Sequence, residues 1–113
     1  MPEKTLFQKI ADREIPADIV YEDDRAVAFR DTSPAAPTHV LIVPRTPIPR
    51  ADAVEPAEEA LVGHLFSVAR AVALQEGLAD YRLVVNCGAG AGQSVFHLHV
   101  HLLGGRALAW PPG

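Results

Sequence analysis

The sequence predicts an α+β fold: a largely antiparallel sheet of five strands with one short and one long helix. Three observations carry this. Five segments rich in β-branched and aromatic residues, "DIVYED", "RAVAFRD", "THVLIVPR", "YRLVVN" and "VFHLHVHLL", are separated by polar, glycine or proline turns. A single long helical periodicity, Leu61, Leu65, Val68 and Val72, lies between the third and fourth of them. Finally, 113 residues that are 49% hydrophobic and 21% charged allow one core across 1–113 and leave no room for a second module.

Taken in order, Thr5 is an N-cap for a short amphipathic helix through about Asp12, with Leu6, Phe7 and Ile10 on its apolar side. Pro16 closes it. The first two strands are joined by a tight turn at Asp23 and Asp24, and "TSPAAP" is a loop because two prolines so close suit neither helix nor sheet interior. "THVLIVPR" is a strand closed by Pro44. The long helix runs from about Pro56, tolerable in a first turn, to Glu76, with Gly77 as its C-cap. "NCGAGAGQS" is a glycine-rich loop between the last two strands, and the tail "GGRALAWPPG" holds the only tryptophan, a ring that usually needs a surface to cover.

Composition narrows the function. A formal charge of -4 argues against binding a nucleic acid polymer, which needs clustered Lys and Arg, while leaving a single nucleotide possible. Cys87 is the one cysteine, so no internal disulfide or CxxC pair exists, which fits a reducing compartment. No stretch is long and apolar enough for a membrane span, and the charged N-terminus does not read as a signal peptide, so the expectation is a soluble, cytoplasmic protein.

Three of the five histidines alternate in "HLHVHLL". On a strand, His97, His99 and His101 would share one face about 6.5 to 7 Å apart, and Phe96, Leu98, Val100 and Leu102 the other. Such a row can serve as nucleophile, base or acid near neutral pH, can hold a metal, or can simply lie on an exposed sheet face. In the loop, Gly88, Gly90 and Gly92 could turn backbone amides toward an anion or only form a flexible hairpin. A strand follows the loop where a dinucleotide-binding fold requires a helix, so that reading fails. Gln93 and Ser94 end the loop three residues before His97. Imidazoles beside anion-binding amides suit phosphorus chemistry without a metal: a neutral ring approaches an anionic phosphate without charge repulsion and can form a phosphorus–nitrogen intermediate.

"HLHVHLL" resembles the His-x-His-x-His-x-x pattern of the histidine triad superfamily. "FQKIADREIPADIVYEDDRAVAFRDTSPAAPTHVLIVPR" and "YRLVVNCGAGAGQSVFHLHVHLLGGRALAWPPG" are similar to the two halves of its Hint branch, the nucleoside phosphoramidases. The resemblance implies a homodimer with a continuous sheet and hydrolysis of purine nucleoside phosphoramidates or acyl adenylates, with no metal and no cofactor, through a nucleotidyl-histidine. It implies His99 as nucleophile, His101 at the phosphate oxygens, and His97 and His39 orienting the cluster. Phe7, Ile10, Ile15 and Phe29 would wall the base, Asp31 would meet the ribose with Thr32 beside it, and Asn86, Gly92, Gln93 and Ser94 would meet the phosphate. Ser94 or His101 would pass a proton to the leaving amine, and Trp110 would lie near the partner's site. Thr32 and Cys87 depart from the branch's usual residues, which bears on substrate preference. On general grounds His39 reads as structural, and His64, among Leu61, Leu65 and Val68, as a packing or interface histidine. Two other readings remain open at this stage: a nucleotide-binding regulatory or scaffold module, and a metal enzyme using the triad as ligands.

Overall fold

A computed structural model describes residues 3–113. It contains α1 (Leu6–Ala11), β1 (Ile19–Glu22), β2 (Ala26–Arg30), β3 (Thr38–Pro44), α2 (Glu59–Gln75), β4 (Tyr81–Val84) and β5 (Val100–Gly104), with short 3-10 turns between β3 and α2 and between β4 and β5. The strands form one sheet in the order β1-β2-β3-β5-β4, and every neighbouring pair is antiparallel. Among the described residues no helix is long and apolar enough to cross a membrane.

Local chemistry sets the helix ends. The Thr5 hydroxyl accepts the Gln8 amide at 3.0 Å and starts α1. Pro56 opens a 3-10 turn, Pro56–Glu58, with a reciprocal Glu55 and Glu58 capping box, so α2 proper begins three residues later than its periodicity suggests. Gly77, at φ 70, turns the chain out of α2.

Strand alternation divides the core in two. Leu65, Val68 and Val72 of α2 cover one sheet face, packing on Ala26, Ala28, Val40, Ile42, Val100 and Leu102. On the opposite face Phe7, Ile10 and Ala11 of α1 pack on Val27, Phe29, Leu41 and Val43. Leu6 departs from the predicted apolar side of α1 and is 46% exposed. His39 and His101 alternate with the α2-facing residues of β3 and β5, which puts them on the α1 side of the sheet.

The predicted fifth strand is too long. Pairing with β3 begins only at Val100, opposite Ile42, so His97 and His99 lie in an irregular approach to the strand, and Phe96 is exposed instead of building the core. The partners available explain the difference. β3 ends at Pro44, which has no amide to offer a neighbour, and its carbonyl is taken by the His97 ring at 2.7 Å. The Leu98 amide goes instead to the Ile48 carbonyl at 2.6 Å. Tertiary hydrogen bonds override the local β pattern, although Leu98 still joins the core under α2.

The β1–β2 turn carries a testable charge effect. Burial by itself pushes the Asp23 carboxyl up, but the Arg25 amide, the His64 ring, the Ala26 amide and the Tyr21 hydroxyl together hold it down at about 2. His64 is thereby satisfied, with Nε2 2.6 Å from Asp23 and Nδ1 3.1 Å from Arg25. Because the folded value lies below the ordinary 3.8, this stabilisation is present above about pH 4 and is lost as pH falls toward 2. Asp23→Asn should be less stable than wild type by on the order of 2 kcal/mol in urea unfolding at pH 7, with the gap closing near pH 2.

Candidate active site

Backbone groups determine where the protons of the histidine cluster sit, because a carbonyl only accepts and an amide only donates. His97 is fully buried, and its Nε2–H donates to the Pro44 carbonyl at 2.7 Å. Its Nδ1 is then an acceptor, and the Thr5 hydroxyl donates to it at 2.7 Å. His99 Nδ1–H donates to the His97 carbonyl at 2.7 Å, which leaves a bare lone pair on His99 Nε2. In the second pair, the Ala35 amide donates to His39 Nδ1 at 3.0 Å, so the proton of His39 is on Nε2. That N–H lies 2.9 Å from His101 Nδ1 and donates to it, so His101 carries its own proton on Nε2.

The surroundings keep the three rings of the triad neutral. Burial lowers the pKa of His97 and of His99, outweighing the carbonyl contacts that favour protonation. Burial, reinforced by the neighbouring His99 and His101's partner His39, brings His101 down to about 4. The rings touch: His99 and His101 meet edge to face at 4.9 Å, and Phe7 packs edge to face on His99 at 4.9 Å. At neutral pH the arrangement therefore presents one free imidazole lone pair, on His99, beside one neutral imidazole N–H, on His101.

A cavity of about 360 Å³ adjoins the cluster, sharing Phe7 with it. Its walls include Phe7, Ile10, Ile15 and Phe29, the four apolar residues expected around a base, together with Asp31, Thr32 and Ser94. Asp31 accepts the Ser33 amide at 2.8 Å through Oδ1, and its Oδ2 lies 3.5 Å from His39 Nε2. A larger cavity of about 650 Å³, between residues 77–82 and 105–108, contains none of the histidines.

The glycine loop is not the open anion cradle that its composition suggests. The Ala91 and Gln93 amides bond the Gly88 carbonyl, the Gly92 amide bonds the Ala89 carbonyl, and the Gly88 amide bonds the Gln93 side chain. Gln93 is buried, and its amide nitrogen donates to the Pro49 and Val95 carbonyls. In this structure the Gln93 side chain and amide brace the loop. Gly92, at φ 98 and beside Asn86, supplies a left-handed turn and has no spare amide. Among the described residues, Ser94 has neither its amide nor its hydroxyl paired, and Asn86 has no side-chain hydrogen bond. Both remain candidates for an anion. Trp110, at the end of the tail, is 82% exposed.

Thr5 is the site residue that sequence reasoning missed. It was recognisable as a cap, but nothing in its neighbourhood in the chain indicates a bond to a histidine 92 positions away. A metal fits poorly. His97 has both ring nitrogens committed. Asp31, His39 and His101 do bring ligand atoms within 4.8 Å of one another, but the His39 nitrogen nearest them must carry a proton while Ala35 occupies the other.

Known proteins resemble this chain over most of its length. The HIT domain family matches residues 12–108. An uncharacterized HIT-like protein of Synechococcus elongatus is 56% identical over the whole of both chains. The purine nucleoside phosphoramidase of Escherichia coli is 52% identical over 96% of this chain and 92% of its own length. The crystal structure of a HIT family hydrolase from Legionella pneumophila superposes with a TM-score of 0.94 at 47% identity, covering 97% of this chain and 100% of that one. With the family matching most of its length and relatives more than half identical across nearly all of it, the chain belongs to the HIT domain family.

Proposed function

We propose that this chain is a metal-independent hydrolase that cleaves the phosphorus–nitrogen bond of purine nucleoside phosphoramidates, and the corresponding bond of acyl adenylates, releasing the nucleoside monophosphate. The observation that carries the reading is the free Nε2 lone pair of a buried, neutral His99, left there because Nδ1–H is tied to the His97 carbonyl. The name and 52% identity of the Escherichia coli relative support the substrate class.

In this mechanism purine and ribose occupy the 360 Å³ cavity, the base against Phe7, Ile10, Ile15 and Phe29 and the ribose hydroxyls on the Asp31 carboxylate. Thr32, on the same wall, adds a hydroxyl near the ribose. His99 Nε2 attacks the α-phosphorus, forming a phosphorus–nitrogen bond as the bond to the amine breaks. The amine leaves with a proton from solvent, delivered through the Ser94 hydroxyl or the His101 ring. His101 Nε2–H, a neutral donor held in place by His39, carries charge that develops on the non-bridging oxygens, with Ser94 and Asn86 completing that shell. Water then attacks phosphorus, the His99 imidazole departs, and the monophosphate is released. The protein works as a homodimer with a continuous sheet; the exposed Phe66, Leu74, Tyr81 and Val85 support association, and Trp110 reaches the partner's site.

Rapid-quench intact mass after mixing with an adenosine phosphoramidate should show a transient adduct of one nucleoside monophosphate, unchanged by chelator. A rate lost to chelator and restored by zinc would overturn metal independence, and product binding without turnover would favour a binding module. His99→Ala should fold and bind the monophosphate but form no adduct and turn over orders of magnitude more slowly, because a nucleophile acts mainly in the transition state. His101→Ala should still form the adduct, with the rate lowered by about 10² to 10³, the typical cost of one such donor. Deleting residues 107–113 should change relative rates for small and bulky amines while the fold persists; equal ratios in the two proteins would exclude a role for the tail.

A further inference from the structure

The Thr5 hydroxyl occupies an unusual junction. It accepts the Gln8 amide as the cap of α1, which fixes its oxygen, and it is the donor that buried His97 Nδ1 requires. The His97 ring is held at its other nitrogen by the Pro44 carbonyl. The same residue's carbonyl is what orients His99. The path from helix cap to nucleophile thus runs through one residue whose ring and backbone are both engaged. One turn along α1, Phe7 packs on His99 and Ile10 lines the cavity. The hydroxyl thereby places the cavity wall and the imidazole in a fixed relation.

We propose that Thr5 is a positioning residue for the histidine triad: its hydroxyl donates to the Nδ1 that the Pro44 contact leaves as an acceptor, holds the His97 ring against the start of α1, and so fixes the carbonyl that presents His99 Nε2 to phosphorus. The proposal rests on the reading of His99 as nucleophile. Capping alone would need only the oxygen's lone pair; positioning also needs the proton. The two roles can be separated by substitution. Serine keeps lone pair and proton, aspartate keeps the lone pairs and caps well but, ionised, has no proton to give, and valine keeps neither.

The experiment compares Thr5→Ser, Thr5→Asp and Thr5→Val by single-turnover adduct formation with an adenosine phosphoramidate, AMP affinity by calorimetry, thermal stability, and nitrogen chemical shifts of the histidine rings in the ligand-free protein. Thr5→Ser should form the adduct within about threefold of the wild-type rate, since donor and acceptor are both kept. Thr5→Asp should form the adduct roughly 10- to 100-fold more slowly than Thr5→Ser, the scale of a misaligned reacting group and more than its loss of thermal stability accounts for, while AMP affinity changes far less. Its His97 ring shifts should leave the wild-type pattern. A Thr5→Asp protein with wild-type adduct rate and His97 shifts would reduce Thr5 to a helix cap, as would a set of variants whose rates track stability alone. If the wild-type protein forms no adduct, the nucleophile reading fails separately, and the ring shifts still decide whether Thr5 holds the His97 ring.

Discussion

Protein backbone groups cannot exchange the roles of donor and acceptor, and the histidine cluster depends on that constraint. Two carbonyls, of Pro44 and His97, and one amide, of Ala35, fix the proton on every ring around the site. Side-chain acids or waters in these places would titrate or rotate, and the rings would sample several tautomers. With backbone partners, only one arrangement leaves every buried nitrogen satisfied, and it has a lone pair on His99 beside an N–H on His101. No carboxylate is needed to hold the His99 ring.

The fold pays for this arrangement with burial of polar groups. His39, His97 and His99 are all buried, and a ring left without a partner there would be strongly destabilising. The sheet makes such burial possible by dividing its work. The α2 face forms a purely apolar core, while the opposite face is shared between the small α1 cluster and the imidazoles. Neutrality follows from the same burial: His101, at about 4, remains uncharged at physiological pH and can donate a hydrogen bond without repelling its neighbours.

The glycine loop is built for a fixed backbone path. Its glycines are used for backbone conformation, at Gly88 with φ 96 and Gly92 with φ 98, and its amides close hydrogen bonds within the loop. Rigidity, provided by the buried Gln93, is what this loop offers. It places Ser94 on the cavity wall as a fixed polar group at the end of a self-bonded turn.

The sequence by itself determined what local patterns encode. Five strand-like segments, the α2 periodicity, the Thr5 cap and the Asp23 turn are each set by side chains within a few residues of one another, and the alternating histidines with their flanking segments carried the family. Pairing His39 with His101, tying His97 to Thr5 and Pro44, stopping β5 at Val100 and closing the loop on itself were decided only by tertiary structure. The physical reason is range. A cap or a periodicity is satisfied within a turn of chain, but a ring nitrogen takes the partner that folding brings to it, and here those partners lie 53, 62 and 92 residues away in sequence.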